Sequence, residues 1–384
     1  MDFSLTPEQE AMRDLAARFA KERLAPDYMK RDQTHTIDRT LLKEMGNLGL
    51  ISAGLPEEYG GIGVDCVTSG VIIEQLAYGD FNICYVPLLA WLMGGILCKY
   101  ADPAVAKEWV PKIAAGESLV ALGLTEPRGG SDAANLILRA ERKGDHYVIN
   151  GEKTSISFSE QADVIVAFAR TGKIEDGARG VSAFAIPLDA PGVSRTHFSE
   201  LGTKIVGRGS IFFDDVKIPL NHLMGVENKA FSQIMNGFDY SRAMIGLQCL
   251  GAAQASLDEA WQYSTERKAF GAPLAQYQGV TFPLAEADTM VTAARALCYR
   301  TLWLRDKDLP HTAEAAMCKW WAPKLAYDVI HECLLTHGHY GYTTDLPHQQ
   351  RMRDVLGFQI GDGTPQIMKL IIARERVGRV AVQY

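Results

Sequence analysis

The chain predicts an α+β protein, mainly α, built as an N-terminal helical domain, a central β domain and a C-terminal helical domain. Three observations carry this. Apolar residues first recur at helical spacing, the period falls to two between about residues 118 and 226, and helical spacing then returns and runs to the C-terminus.

The first domain, residues 1–117, opens on a helix start in which Thr6 precedes Pro7 and Gln9 sits three residues after the cap. Met12, Leu15, Phe19 and Leu24 then mark roughly one helical face. Leu55-Pro56-Glu57-Glu58-Tyr59-Gly60-Gly61-Ile62-Gly63 breaks that pattern and predicts a turn between helices. In the second domain, 118–226, the runs His146-Tyr147-Val148-Ile149, Val164-Ile165-Val166-Ala167-Phe168 and Ile211-Phe212-Phe213 read as strands. Asn150-Gly151 predicts a type I′ hairpin turn, because both central positions of that turn need positive φ. The third domain, 227–384, resumes the helical period at Phe231, Ile234, Met235 and Phe238, and no internal repeat or low-complexity linker appears.

With 384 residues, 47% hydrophobic and 22% charged, the chain is long enough for two or three well-formed cores. A formal charge of -7 argues against a surface that neutralises nucleic-acid phosphates, so nucleic acid is not expected as a partner. The seven cysteines include no C-x-x-C pair, which fits free thiols in a reducing compartment and predicts no zinc site. The N-terminus has neither a basic n-region nor an apolar h-region. The apolar stretch from Tyr85 to Leu97 is interrupted by Pro87 and glycines and is too short to span a bilayer, so the expectation is a cytoplasmic protein without membrane insertion.

Five segments carry chemistry. In Gln359-Ile360-Gly361-Asp362-Gly363-Thr364-Pro365-Gln366-Ile367 a carboxylate sits on a glycine-flanked loop before a helix, where it can point into a cleft. Leu124-Thr125-Glu126-Pro127-Arg128-Gly129-Gly130-Ser131-Asp132 is a glycine-rich loop that offers main-chain N–H groups and hydroxyls to a ligand, although a β turn is its simplest reading. Gly151-Glu152-Lys153-Thr154-Ser155-Ile156-Ser157 reads, taken alone, as an alternating surface strand. Asp239 and Arg242 stand at i and i+3 on a helix, a spacing that usually means a surface ion pair. Glu266-Arg267-Lys268-Ala269-Phe270-Gly271, followed by Gln278, reads as a cationic helix end. A sixth stretch, His337-Gly338-His339-Tyr340-Gly341-Tyr342, reads as a structural loop, since no nearby carboxylate or cysteine completes a metal site.

Taken together, and over essentially the whole chain, these segments resemble the acyl-CoA dehydrogenases. The resemblance implies an N-terminal helical, a middle β and a C-terminal four-helix domain, FAD as cofactor, an acyl-CoA substrate and an electron-transfer flavoprotein as partner. It implies Asp362 as the catalytic base. Thr125, Ser131, Ser157, Arg267, Phe270, Gln278, Gly338, Thr364 and Gln366 would bind FAD, and Ser131, Asp239, Arg242 and Gly363 the substrate. Ser157 would face flavin N5, and Arg267 would reach the FAD diphosphate of a neighbouring subunit, so the flavin site would require an oligomer, for which the resemblance implies a homotetramer.

The chain departs from the family pattern at Asp362, where the family usually has glutamate, and at Gly361, where it usually has tyrosine. Ser155 replaces a tryptophan, Leu335 a glutamine and Arg128 a glycine. Ser241 occupies the position where some members place their base, and serine cannot serve. A shorter carboxylate with Gly361 and Ser155 beside it points to an alicyclic or α-branched acyl group, as in a cyclohexanecarboxyl-CoA dehydrogenase. Two alternatives are a nitroalkane-oxidase-like flavoenzyme, which also uses aspartate on this loop, and a non-catalytic flavin-binding scaffold.

Overall fold

A computed structural model describes residues 4–231 and 237–381. Ile234 and Met235 of the expected helical run lie outside the described residues. The architecture is the expected α+β arrangement of helices, then strands, then helices.

The N-terminal helices are α1 (Pro7–Phe19), α2 (Tyr28–Arg31), α3 (Arg39–Asn47), α4 (Cys66–Gly79), α5 (Tyr85–Leu89), α6 (Gly95–Tyr100) and α7 (Pro103–Ala114). The helix start read from the sequence is present: Gln9 N–H donates to Thr6 Oγ1 at 3.2 Å, and Thr6 N–H donates to Gln9 Oε1 at 3.0 Å. The stretch around Pro87 and the glycines is helical throughout, because a π-helical turn over Ala90–Gly94 joins α5 to α6. Among the described residues, no helix is long and apolar enough to cross a membrane.

The strands β1 (Val120–Gly123), β2 (Arg139–Lys143), β3 (His146–Ile156), β4 (Val164–Arg170), β5 (Val181–Pro187), β6 (Val193–Arg195), β7 (Gly209–Pro219) and β8 (Leu223–Met224) form an eight-stranded sheet. Its order is β6-β7-β3-β2-β4-β5-β8, with β1 parallel to β4. The expected hairpin at Asn150-Gly151 is not there. Strand β3 runs straight through both residues, and the turn from β2 falls at Gly144-Asp145, where Gly144 has φ +65°. Asn150 and Gly151 instead mark a shift of register between β3 and β7. Asn150 Nδ2 donates to Asp215 Oδ1 at 3.0 Å and Asp215 N–H returns to Asn150 Oδ1 at 2.8 Å, so the side chain pins a bulge rather than closing a turn.

The C-terminal domain holds α8 (Gly237–Glu266), a short hairpin of β9 (Lys268–Ala269) and β10 (Ala272–Pro273), α9 (Gln278–Asp306), α10 (Thr312–Thr336), α11 (His348–Leu356) and α12 (Pro365–Val377). Helix α8 is buried almost all round in its first half, as a central helix must be. It packs on α4 so closely that a Cβ at Gly251 would lie 2.4 Å from Glu74 O. One carboxylate ties all three domains together. Asp354, on α11, accepts from Tyr28 Oη at 2.6 Å, Asn82 Nδ2 at 2.8 Å and Thr203 N–H at 2.6 Å. Burial pushes it up to about 6, the three donors opposing that rise.

Candidate active site

Helices α10 and α12 and the turn between α11 and α12 position Asp362. A single 3-10 turn, Gly357–Gln359, follows α11, and Gly361 N–H donates back to Gly357 O at 2.9 Å. Thr364 then caps α12, its hydroxyl accepting from Ile367 N–H at 3.4 Å. Between these two fixed points Asp362 has φ +54° and Gly363 φ +95°. A left-handed conformation is unusual for a residue other than glycine, and such strain collects where a side chain must be aimed.

The half-buried Asp362 lies among cations from two domains. Burial raises its carboxyl above the ordinary carboxylate range, while Lys319 of α10, Arg242 of α8 and Arg208 before β7 pull it back down. Arg208 Nη2 donates to Tyr85 Oη at 2.6 Å, and the Tyr85 ring stacks on Phe358 with centroids 5.1 Å apart. Thus α5 of the first domain, the middle domain and the Asp362 loop of the third meet around this carboxylate.

Asp239 and Arg242 do share one helix face, but the expected surface pair is a buried one. Both side chains are about nine-tenths buried, Arg242 Nη1 donates to Asp239 Oδ1 at 2.6 Å, and Thr312 Oγ1 donates to Asp239 Oδ2 at 2.7 Å. Arg242 Nε has no partner among the described residues. Asp239 and Thr312 line a cleft of about 530 Å³ that Arg305 and His311 also border. Ser241 is buried and donates to Phe238 O at 3.1 Å, so it is engaged in the helix itself.

A second cluster lies in the β domain. Thr154 N–H donates to Thr125 O at 2.9 Å, which ties the loop after β1 to β3 and brings Thr125 beside the strand that leads to Ser157. Beneath Thr125, Glu126 accepts from Ile137 N–H at 2.6 Å, Leu138 N–H at 2.9 Å and Lys153 Nζ at 2.6 Å. Ser155 is exposed, with φ +56°, in a second register shift of β3. Arg128 and Ser131 are exposed on the same loop.

A third group lies at the far end of α8. Arg267 is exposed, and Phe270 is 99% exposed at the tip of the β9–β10 hairpin with φ +49°. Gln278, the first residue of α9, and Gly338, just past α10 with φ +60°, are exposed as well. Glu266 and His337, the chain neighbours of Arg267 and Gly338, line one cavity of about 420 Å³, so the two segments face a common space. His337 is buried and stacks on Tyr263 at 4.4 Å, and no group of three or more metal-ligating side chains exists among the described residues. Gln366, in the first turn of α12, is exposed.

Models of the acyl-CoA dehydrogenase N-terminal, middle and C-terminal domains match residues 6–117, 121–216 and 228–376. The chain belongs to the acyl-CoA dehydrogenase family. It is 34% identical to a probable acyl-CoA dehydrogenase, YngJ, of Bacillus subtilis, over 98% of this chain and 99% of that one. It is 33% identical to a short-chain specific acyl-CoA dehydrogenase of Clostridium acetobutylicum, over 97% and 99% of the two chains. The solved structure of butyryl-CoA dehydrogenase from Megasphaera elsdenii superposes with a TM-score of 0.94 at 31% identity, covering 98% of this chain and all of that one.

As a member of this family the protein is an FAD-dependent oxidoreductase, and its residues fit that cofactor. The Thr125 and Ser157 hydroxyls bond to no other group among the described residues. A Cβ at Gly129 or Gly130 would find its nearest neighbour 3.9 or 3.7 Å away, so the loop is open on the side where a ligand's phosphates would meet its main chain. Four residues of these sites escaped the motif reading, Lys319, Arg208, Tyr85 and Thr312, while Lys153 lay in a segment singled out from the sequence but its pairing with Glu126 was not read there. Lys319 alone left a trace in the sequence, as the one charge within the otherwise apolar Ala315-Ala316-Met317-Cys318-Lys319.

Proposed function

We propose that the protein removes the α proton of an acyl-CoA thioester with Asp362 while the β hydrogen leaves as hydride, and that its acyl group is alicyclic or α-branched. The observation that carries this reading is the Asp362 loop itself. Its carboxylate is held in a left-handed conformation among Lys319, Arg242 and Arg208, which favour the charged form a base requires.

The chain's own packing does not demand glycine at 361. Its φ is not positive, and an added Cβ would meet Gly357 O at 3.6 Å, an ordinary contact. The small residue leaves room that the chain does not fill, and a ring at the α carbon would use it. Aspartate reaches roughly 1.5 Å less far than glutamate, so a productive substrate must bring its α carbon closer to residue 362. Ser155, exposed beside Ser157, gives up further volume on the flavin side.

In this reading the Asp362 main-chain N–H donates to the thioester oxygen as enolate character develops, and its carboxylate accepts the proton. Arg242, Asp239 and Gly363 line the path of the pantetheine arm, with Ser131 near the CoA ligand. Thr125 and Ser157 hold and orient the flavin edge, Ser157 toward N5, with Ser131 near the pyrophosphate. Arg267, Phe270, Gln278 and Gly338 reach the adenosine diphosphate end of a neighbouring subunit's cofactor, and Thr364 and Gln366 complete the contacts, so this reading requires an oligomer, proposed as the homotetramer that the family resemblance implies. Bound FAD supplies the acceptor for the hydride. An electron-transfer flavoprotein is the proposed onward acceptor.

Steady-state turnover of cyclohexanecarboxyl-CoA against butyryl-CoA and octanoyl-CoA tests the substrate. The alicyclic ester should have the highest kcat/KM, and a preference for either straight chain would end the alicyclic proposal.

A further inference from the structure

Lys319 sits on α10 with 1% of its surface exposed, and a lone buried ammonium is costly. It donates to Phe358 O at 2.6 Å and to Gly363 O at 3.1 Å. Phe358 precedes Asp362 and Gly363 follows it, so one side chain bridges the two ends of the segment that bears the base. The segment needs such a clamp. Asp362 and Gly363 are consecutive left-handed residues, and the main-chain bonds of the turn stop at Gly361 N–H, on the near side of Asp362. Among the described residues no acidic side chain is hydrogen-bonded to Lys319, so its charge remains available to Asp362, the carboxylate that acts on it.

We propose that Lys319 is a positioning residue for the base, which fixes the strained loop through its bonds to the Phe358 and Gly363 carbonyls and lends its unspent charge to the Asp362 carboxylate. This rests on Asp362 being the base. The charged and titratable groups around the pair are Arg242 and Cys249 of α8, Arg208 and Tyr85 beside Asp362, and Arg374 of α12 near Arg242. Burial brings the Lys319 ammonium down to about 8, opposed by Asp362, so it is charged through the acidic and neutral range.

Two variants of the FAD-loaded enzyme separate the clamp from the charge. Lys319→Gln keeps N–H donors but loses the charge, and Lys319→Met loses both. Removing the cation should raise the pKa of Asp362, so in both variants the acid limb of kcat/KM should move to higher pH by about one unit. Lys319→Met should also reduce its flavin with a preferred thioester about tenfold or more slowly, at pH well above the limb, with Kd for the CoA product unchanged. An unmoved acid limb in both variants would overturn the proposal, as would wild-type reduction by Lys319→Met. If Lys319→Met does not retain FAD, the limb of Lys319→Gln decides alone. Asp362→Ala is the control: if it keeps both activity and the acid limb, the base assignment fails rather than the role of Lys319.

Discussion

Lys153 and Lys319 are both fully buried, and burial lowers both ammonium groups to about 8, yet they brace their loops in different ways. Lys153 meets Glu126 at 2.6 Å and Leu124 O at 3.1 Å, and Glu126 in turn holds the main chain of Ile137 and Leu138. Its charge is neutralised within the pair, and what remains is a rigid platform under Thr125. Among the described residues Lys319 is bonded to two main-chain oxygens and to no carboxylate. A paired buried lysine fixes geometry, and an unpaired one fixes geometry while it also sets the electrostatics of what lies next to it.

The sharpest way to break this comparison is to remove each lysine and ask what is orphaned. Lys153→Met strands the Glu126 carboxylate, which is 4% exposed, and should lower the unfolding free energy by about 3–5 kcal/mol, read from denaturant titration of the FAD-loaded protein. The double variant Lys153→Met/Glu126→Leu should recover part of that loss. If Lys153→Met costs no more stability than Lys319→Met, the two lysines are equivalent and the distinction fails. A smaller effect sharpens the account of the Asp362 loop. Thr364→Ala removes the cap of α12 immediately after Asp362 and Gly363, and it should cost about 1 kcal/mol of stability, measured by thermal unfolding.

The helix, strand, helix order was legible because each domain buries its elements in its own period, helical at Met12, Leu15 and Phe19 and two-fold in the strands. Asn150-Gly151 misled for a physical reason: Gly151 has φ +132°, but Asn150 bonds across to Asp215 within the sheet, and the tight turn belongs to Gly144. Local residue preference does not say whether a positive φ serves a turn or a bulge. Asp362 was legible as an acid on a glycine-flanked loop, while its cations were not, since Arg208, Arg242 and Lys319 are spread over 112 residues and only folding gathers them. The spacing of Asp239 and Arg242 was readable, yet their burial depends on Thr312 and the packing of α10. Lys319 is marked in the sequence only as a charge in an apolar run, and the role proposed for it rests on Phe358 O and Gly363 O, which only folding brings beside it.

The most direct measurement mixes the oxidised enzyme anaerobically with its best thioester and follows loss of flavin absorbance, wild type against Asp362→Ala. The account predicts that the variant binds the thioester normally and reduces its flavin slower by about 10²–10⁴-fold, the contribution of a positioned general base. Reduction at the wild-type rate would contradict it.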